Sequence, residues 1–286
     1  MSAVLENQIS DDPPVEVQAT PAPHLPTRLR LYYLSKRTSD GLLFRLQRLI
    51  AALHTGFWVG VLDNEQIRRG VFQHYAEAGL YETSEHNLHG FMPYEKELVK
   101  EYFSQCRSAV VAAAGGGREM IALAGIGIHA EGFECNPKLV QTCREFLAEA
   151  GVSGQVIDAQ PDSVPSGLGM FDCGIVGWGA YAHMMGRANR VNFMRELKTH
   201  LQPGAPVFVS VGRRPAGSGY YQSISRLANL IRLLRHSSER VEVGDDLLNC
   251  FSHAFEESEF RSELEEAGFH VVELCQTHEM YVIARA

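Results

Sequence analysis

The sequence predicts an α/β fold: a doubly wound, mostly parallel seven-stranded sheet with an N-terminal helical lid. Three observations predict it. From Ala109 to Pro137, an apolar run of strand length leads into Gly115, Gly116 and Gly117, then a helical stretch, a second strand and Glu134, which is the order of a nucleotide-binding βαβ unit. Beyond it, short apolar runs alternate with longer stretches of helical period, each closed by Gly or Pro-Gly. The chain then closes on two strand-like runs, Phe269–Leu274 and Met280–Ala284, after a helix stopped by Gly268.

In the first of these stretches, Ala109–Ala113 reads as a buried strand, Arg118–Ala124 as a helix and His129–Phe133 as the next strand. Glycine lets the backbone approach a ligand closely and aim amides at it. Glu134, at the tip of the second strand, can accept hydrogen bonds from two ribose hydroxyls, so the expected ligand is an adenosyl compound. A dinucleotide fingerprint beginning at Gly115 would need a small residue three positions after Gly117, where Met120 stands. A phosphate loop would need Gly-Lys followed by Ser or Thr, and Arg118-Glu119 occupies that place.

The turn resembles motif I of the class I S-adenosylmethionine-dependent methyltransferases, acid-x-Gly-x-Gly-x-Gly, with Val111, Ala113, Gly115 and Gly117 at the four defining positions. Val111 lacks the carboxylate that in this family orients the loop or contacts the methionine part of the cofactor. The motif therefore does not say how this chain would hold the cofactor's ammonium. The resemblance covers roughly residues 107–286 and implies S-adenosyl-L-methionine as cofactor, with Ala113, Gly115, Gly117, Glu134 and Gly177 around it.

With 286 residues, a net charge of -8 and no long Lys/Arg run, the chain has room for one large domain and an appendage. It lacks the electrostatic footprint of a nucleic-acid binder, so a small-molecule substrate is expected. The six cysteines form no CxxC pair, which predicts reduced core residues in a cytoplasmic protein. No apolar run has transmembrane length, and no basic-then-apolar leader opens the sequence, so no membrane association is expected. Assembly into a homo-oligomer is left open.

Residues 1–26, with Pro13, Pro14, Pro21, Pro23 and Pro26 and few aromatics, predict a disordered tail. Residues 27–105 predict a helical cap. Leu42, Leu43, Leu46, Leu49, Ile50 and Leu53 recur at helical spacing, a second helix begins near Asn64 and runs through Ile67, Val71, Phe72 and Tyr75, and a third spans Tyr94–Phe103. In the resembled fold, helices in this position cover the cofactor; a plain packing layer would look the same. Residues 106–286 then form the cofactor domain. Asn136 and Pro137 open a helix that Gly151 stops. A short strand, Gln155–Ile157, ends at Asp158, which by resemblance would take a hydrogen bond from the adenine amino group, with Asp162 as competitor. Phe171–Val176 is the fourth strand. The loop after it, Gly177 to His183, lies outside the carboxyl end of that strand, where ligands of doubly wound sheets bind. A helix over Val191–Leu201, a strand over Pro206–Val211, a helix around Ile224–Leu234, an insert at 237–255 and a helix over Glu257–Ala267 follow.

Methyl transfer needs an aligned nucleophile and a place for its proton. His183, after the fourth strand, and His253, in the insert, are the candidate bases, because histidine titrates near neutrality. Tyr181 is a third candidate catalytic residue, and it and Trp178 are candidate walls for adenine or substrate. Arg118, Arg213 and Arg214 could each hold a carboxylate. Scattered histidines without ligand spacing predict no metal. The expected function is methyl transfer to oxygen or nitrogen of a small metabolite. Two alternatives stand beside it: attack on the cofactor's methionine chain, releasing methylthioadenosine, and a non-catalytic binding protein on the same fold.

Overall fold

The computed structural model describes residues 26–276 and 279–286; the expected N-terminal tail lies outside them apart from Pro26. Two compact units divide the chain, residues 1–47 and 48–286. The described part of the first is the opening stretch of helix α1 (Thr27–Val61), exposed along its whole length.

The second unit is built on a seven-stranded sheet: β1 (Ser108–Ala112), β2 (His129–Glu134), β3 (Val156–Asp158), β4 (Cys173–Val176), β5 (Pro206–Gly212), β8 (His270–Gln276) and β9 (Glu279–Arg285), in the order β3-β2-β1-β4-β5-β9-β8. The first five strands are parallel and β9 runs antiparallel between β5 and β8. The order reverses between β1 and β4, which makes their carboxyl ends the switch point. Alternation along β1 assigns the faces: Val110 and Ala112 enter one core, Ala109 and Val111 the other.

The helices sit where their caps place them. In α5 (Arg118–Ala124), Met120 is fully buried, and a Cβ on Gly132 of β2 would stand 2.6 Å from its Sδ. A glycine in the strand thus makes room for the large residue in the helix. In α6 (Pro137–Glu149), Asn136 Oδ1 accepts from Lys138 N at 3.1 Å, and the Asn136 side chain also donates to Phe72 O. That second bond joins α6 to α2 (Asn64–Glu77), itself opened by a capping box between Asp63 and Gln66. The remaining helices are α3 (Ser84–Asn87), α4 (Pro93–Tyr102), α7 (Arg187–Lys198), α8 (Gly219–Leu234) and α9 (Glu257–Glu266).

The apolar series Leu42 to Leu53 does not face a core: all six residues are exposed. From Arg48 onward α1 instead packs through its small residues. Cβ atoms added at Gly56 and Gly60 would stand 3.0 Å from Ile224 O and 2.8 Å from Ile231 Cβ, so the α1 and α8 backbones approach along a glycine seam. Arg232 of α8 and Arg235, which caps its C-terminus, donate to Val59 O, Leu62 O, Gly60 O and Val61 O, satisfying carbonyls that a helix leaves open at its C-terminus.

The insert folds into a hairpin, β6 (Asp245–Leu247) against β7 (Phe251–His253). A buried ion-pair network fixes it. Arg190, fully buried, pairs with Glu263 at 2.6 Å and Glu242 at 2.8 Å, while Arg214 pairs with Glu256 and Glu259.

Candidate functional site

A cavity opens at the carboxyl ends of β1, β2 and β4, walled on its other side by α2 and the segment 78–90. Its floor is the glycine turn. Ala113 (φ 53), Gly115 (φ 54) and Gly117 (φ 94) all adopt left-handed backbone, which Gly115 and Gly117 do without a Cβ penalty. Gly116 is a glycine for a different reason: a Cβ there would lie 2.2 Å from Asn87 Oδ1 and 2.6 Å from Tyr81 O. Gly177 completes the floor, its amide on Ala112 O and its would-be Cβ 3.0 Å from Ala113 O.

Glu134 closes the turn. Its Oε2 accepts from Gly115 N at 3.1 Å, and its Oε1 accepts from Cys135 N at 2.8 Å and Asn136 N at 2.9 Å. Each carboxylate oxygen has two lone pairs, so the group is held rigidly while keeping acceptor capacity toward the cavity it lines.

Asp158 does not share this site. It sits at the end of β3 opposite Glu134, but its side chain is exposed and pairs with Arg144 at 3.0 Å. The strand ends one residue later than its sequence suggests, and the chain turns inward only afterward. The cavity wall there is Ala159 to Ser163. Asp162, the competitor, lines the cavity and pairs with Arg68 at 3.3 Å; burial raises its carboxyl above the usual range.

Of the proposed catalytic residues, His183 lies on the cavity and the other two do not. Tyr181 is fully buried, donates to Glu263 Oε2 at 2.8 Å and stacks on Phe255. His253 is equally buried, between Asp245 at 2.7 Å from Nδ1 and Glu259 at 3.1 Å from Nε2. Burial works against its charge, but the hydrogen bonds to the two carboxylates prevail and raise its pKa. Neither ring nitrogen is left for a ligand in the cavity. Glu242, Asp245 and His253 place three ligand-type atoms within 4.8 Å of one another, yet Arg190 already occupies Glu242 and the imidazole bridges carboxylates, so the group is an ion-pair network. Arg214 belongs to the same network, and Arg213 is exposed.

His183 has a determined proton. Its Nδ1 lies 2.6 Å from Phe251 O, which can only accept, so Nδ1 carries the hydrogen. Burial lowers the pKa of this imidazole and keeps it neutral, and the lone pair on Nε2 therefore receives the hydroxyl of Tyr75 at 2.6 Å. Tyr75 comes from α2 and lines the cavity, and burial raises its phenol well above the ordinary value. Around it Tyr81 (ring centroids 5.5 Å apart) and Trp178 (6.4 Å from Tyr81) form an aromatic partition. A second cavity lies against the same three rings, with Ser210 and Gly212 on its wall.

Two further residues change standing. Arg118 is buried and spends its Nη groups on Glu95, Glu119 and Gly90 O, so holding a ligand carboxylate is not its task. Tyr75 was concealed in the sequence, because it falls in the helical series Ile67, Val71, Phe72 and reads as packing; only its partner's place after β4 carried a signal.

No family model matches the sequence, and no curated protein does. Solved structures do match in shape. A SAM-dependent methyltransferase from Methanosarcina mazei superposes with a TM-score of 0.56 at 14% identity, over 68% of this chain and 98% of its own. A Pyrococcus horikoshii protein gives 0.56 at 12% identity over 74% and 98%. Sheet order and these likenesses make the fold that of the class I SAM-dependent methyltransferases.

Proposed function

We propose that this protein is an S-adenosylmethionine-dependent methyltransferase acting on an O–H or N–H group of a small, largely apolar molecule. The observation that carries the reading is the meeting, in one cavity at the switch point, of the glycine turn, the amide-anchored Glu134 and the Tyr75–His183 pair. The residues present fit the cofactor. Glu134 Oε2 keeps one lone pair free for a ribose hydroxyl, and the turn offers close backbone approach at Gly115.

When bound, the cofactor supplies a methyl group on a sulfonium that departs as a neutral thioether. The chain's own residues supply position and a path for one proton. The acceptor's proton passes to Tyr75 Oη as the Tyr75 proton passes to His183 Nε2. The resulting imidazolium keeps its Nδ1–H on Phe251 O. Because burial raises the Tyr75 phenol, it stays protonated at rest and serves as a relay, with His183 as the base. Tyr81, Trp178 and the mostly apolar lining of the first cavity suit an apolar acceptor. Free cysteines throughout the described residues agree with work in a reducing cytoplasm.

Calorimetric titration with S-adenosylmethionine, S-adenosylhomocysteine and NAD tests the cofactor. The two sulfur ligands are expected to bind, NAD is not, and Glu134→Ala should weaken them about a hundredfold or more by removing hydrogen bonds to a charged acceptor. An acceptor search then follows the product: S-adenosylhomocysteine supports methyl transfer, and methylthioadenosine would overturn it.

A further inference from the structure

Three charged side chains beside the glycine turn do not balance. Arg118 Nη1 donates to Glu95 Oε2 at 2.7 Å, and Nη2 donates to Glu95 Oε1 at 2.9 Å and Glu119 Oε1 at 2.6 Å. All three residues are buried. With its groups ionised, this cluster has one guanidinium for two carboxylates and carries one net negative charge. A buried, uncompensated charge is costly, and burial indeed raises the Glu119 pKa, Arg118 opposing it.

The excess has a direction. Glu119 lines the cavity, together with Gly115 and Gly116, whereas Glu95 does not. Arg118, which also lines the cavity, is already counted in the cluster, and among the described residues no further cation on the wall offsets the excess. Arg68 is engaged by Asp162 and Glu65, and burial first, then the charge of Arg118, lowers the His86 pKa, keeping that ring neutral. Helix α3 places an unsatisfied acceptor behind the turn, outside the cavity lining. Asn87 Oδ1, the only buried side-chain acceptor without a hydrogen bond among the described residues, lies against Gly116. Val111 occupies the position where the fold's motif carries an acid, but its side chain is fully buried in the core beneath α5.

We propose that Glu119 is the counter-ion of the α-ammonium of the adenosyl ligand's amino-acid tail, standing in space where Val111 provides no carboxylate. This rests on the cofactor reading above. It extends that reading to a ligand class: adenosyl compounds bearing a zwitterionic tail, with the ammonium read by a carboxylate eight residues beyond the customary one.

The test is a ligand-by-residue cycle in the full chain, by calorimetry. Unaltered protein and Glu119→Gln are each titrated with S-adenosylhomocysteine, its des-amino analogue and methylthioadenosine. The unaltered protein should prefer S-adenosylhomocysteine over the des-amino compound by about ten- to a hundredfold, the worth of one charge-assisted hydrogen bond. In Glu119→Gln the two should bind alike, with methylthioadenosine affinity unchanged. A preference that persists in the variant, or equal loss of all three ligands, overturns the inference. Should Glu119→Gln fail to fold, Glu119→Asp keeps the charge facing Arg118 and withdraws it from the cavity; an undiminished preference there overturns the inference as well. Failure of the unaltered protein to bind any of the three would overturn the cofactor reading and this inference with it, an outcome distinct from binding without discrimination.

Discussion

Tyr75 and His183 are joined by one hydrogen bond whose direction is set by a third residue, the carbonyl of Phe251. If the pair moves a proton in turnover, Tyr75→Phe should lower kcat by about 10²- to 10⁴-fold, leaving S-adenosylhomocysteine affinity unchanged in calorimetry. Because burial lowers the His183 pKa below its ordinary 6.5, the base is free at neutrality. The acid limb of the kcat profile is expected below that value and should vanish in His183→Asn, whose remaining rate would be small and flat with pH. Sequence alone located His183, since position after the fourth strand places a residue near the switch point. It could not separate His183 from His253, because which way a loop histidine faces depends on partners as distant in sequence as Phe251 for one and as near as Glu259 for the other. Asp158 stands at the tip of β3 opposite Glu134, but its carboxylate is exposed and engaged by Arg144, a partner that strand pattern does not encode.

At the scale of elements, the β6–β7 hairpin depends on the imidazolium between Asp245 and Glu259. His253 has a raised pKa in the folded protein, so its contribution to stability is full below the unfolded value and is lost as pH rises through the folded one. Glu242 and Glu259 have lowered pKa values despite burial, through Arg190 for the first and His253 for the second; their contribution is present above their unfolded value and is lost as pH falls through the folded one. The melting temperature should therefore peak between the carboxylate range and a point above 6.5, and His253→Asn should remove the decline on the alkaline side, as read by calorimetric melts across pH. The α1–α8 contact makes a steric prediction. Gly60→Val inserts a branched side chain where a Cβ already stands 2.8 Å from Ile231, and overpacking of this kind costs about 1–3 kcal/mol, measurable by urea unfolding. Helices α5 and α6 were legible almost to the residue, because Gly117, Asn136, Pro137 and Gly151 punctuate them. The apolar rows of α1 misled, since the side it buries is made of Ala52, Gly56, Val59 and Gly60, and hydrophobic periodicity gives small residues little weight.

For the whole molecule, the sheet was legible because each of its strands is a short apolar run bounded by a turn signal, and the parallel core needs that regularity to bury both faces. The cavity's far wall was legible only as a helical lid and a loop after the fourth strand; which side chains of α2 and the 78–90 segment meet there is a matter of tertiary packing. Hydrogen exchange should reflect the same division: slowest at β1 and β4, the central strands, and fast in residues 27–47, a helical stretch with no buried face. The hairpin insert has a consequence of another kind. Surface insertions are ordinarily where a scaffold tolerates trimming, but Phe251 gives this one an address for a single hydrogen atom. A change of backbone path at residue 251 that withdrew this carbonyl would leave both members of the Tyr75–His183 pair in place, yet the imidazole would be free to settle in either tautomer. One of the two offers Tyr75 an N–H in place of a lone pair, and under the proposed relay a molecule in that form has nowhere to send the Tyr75 proton.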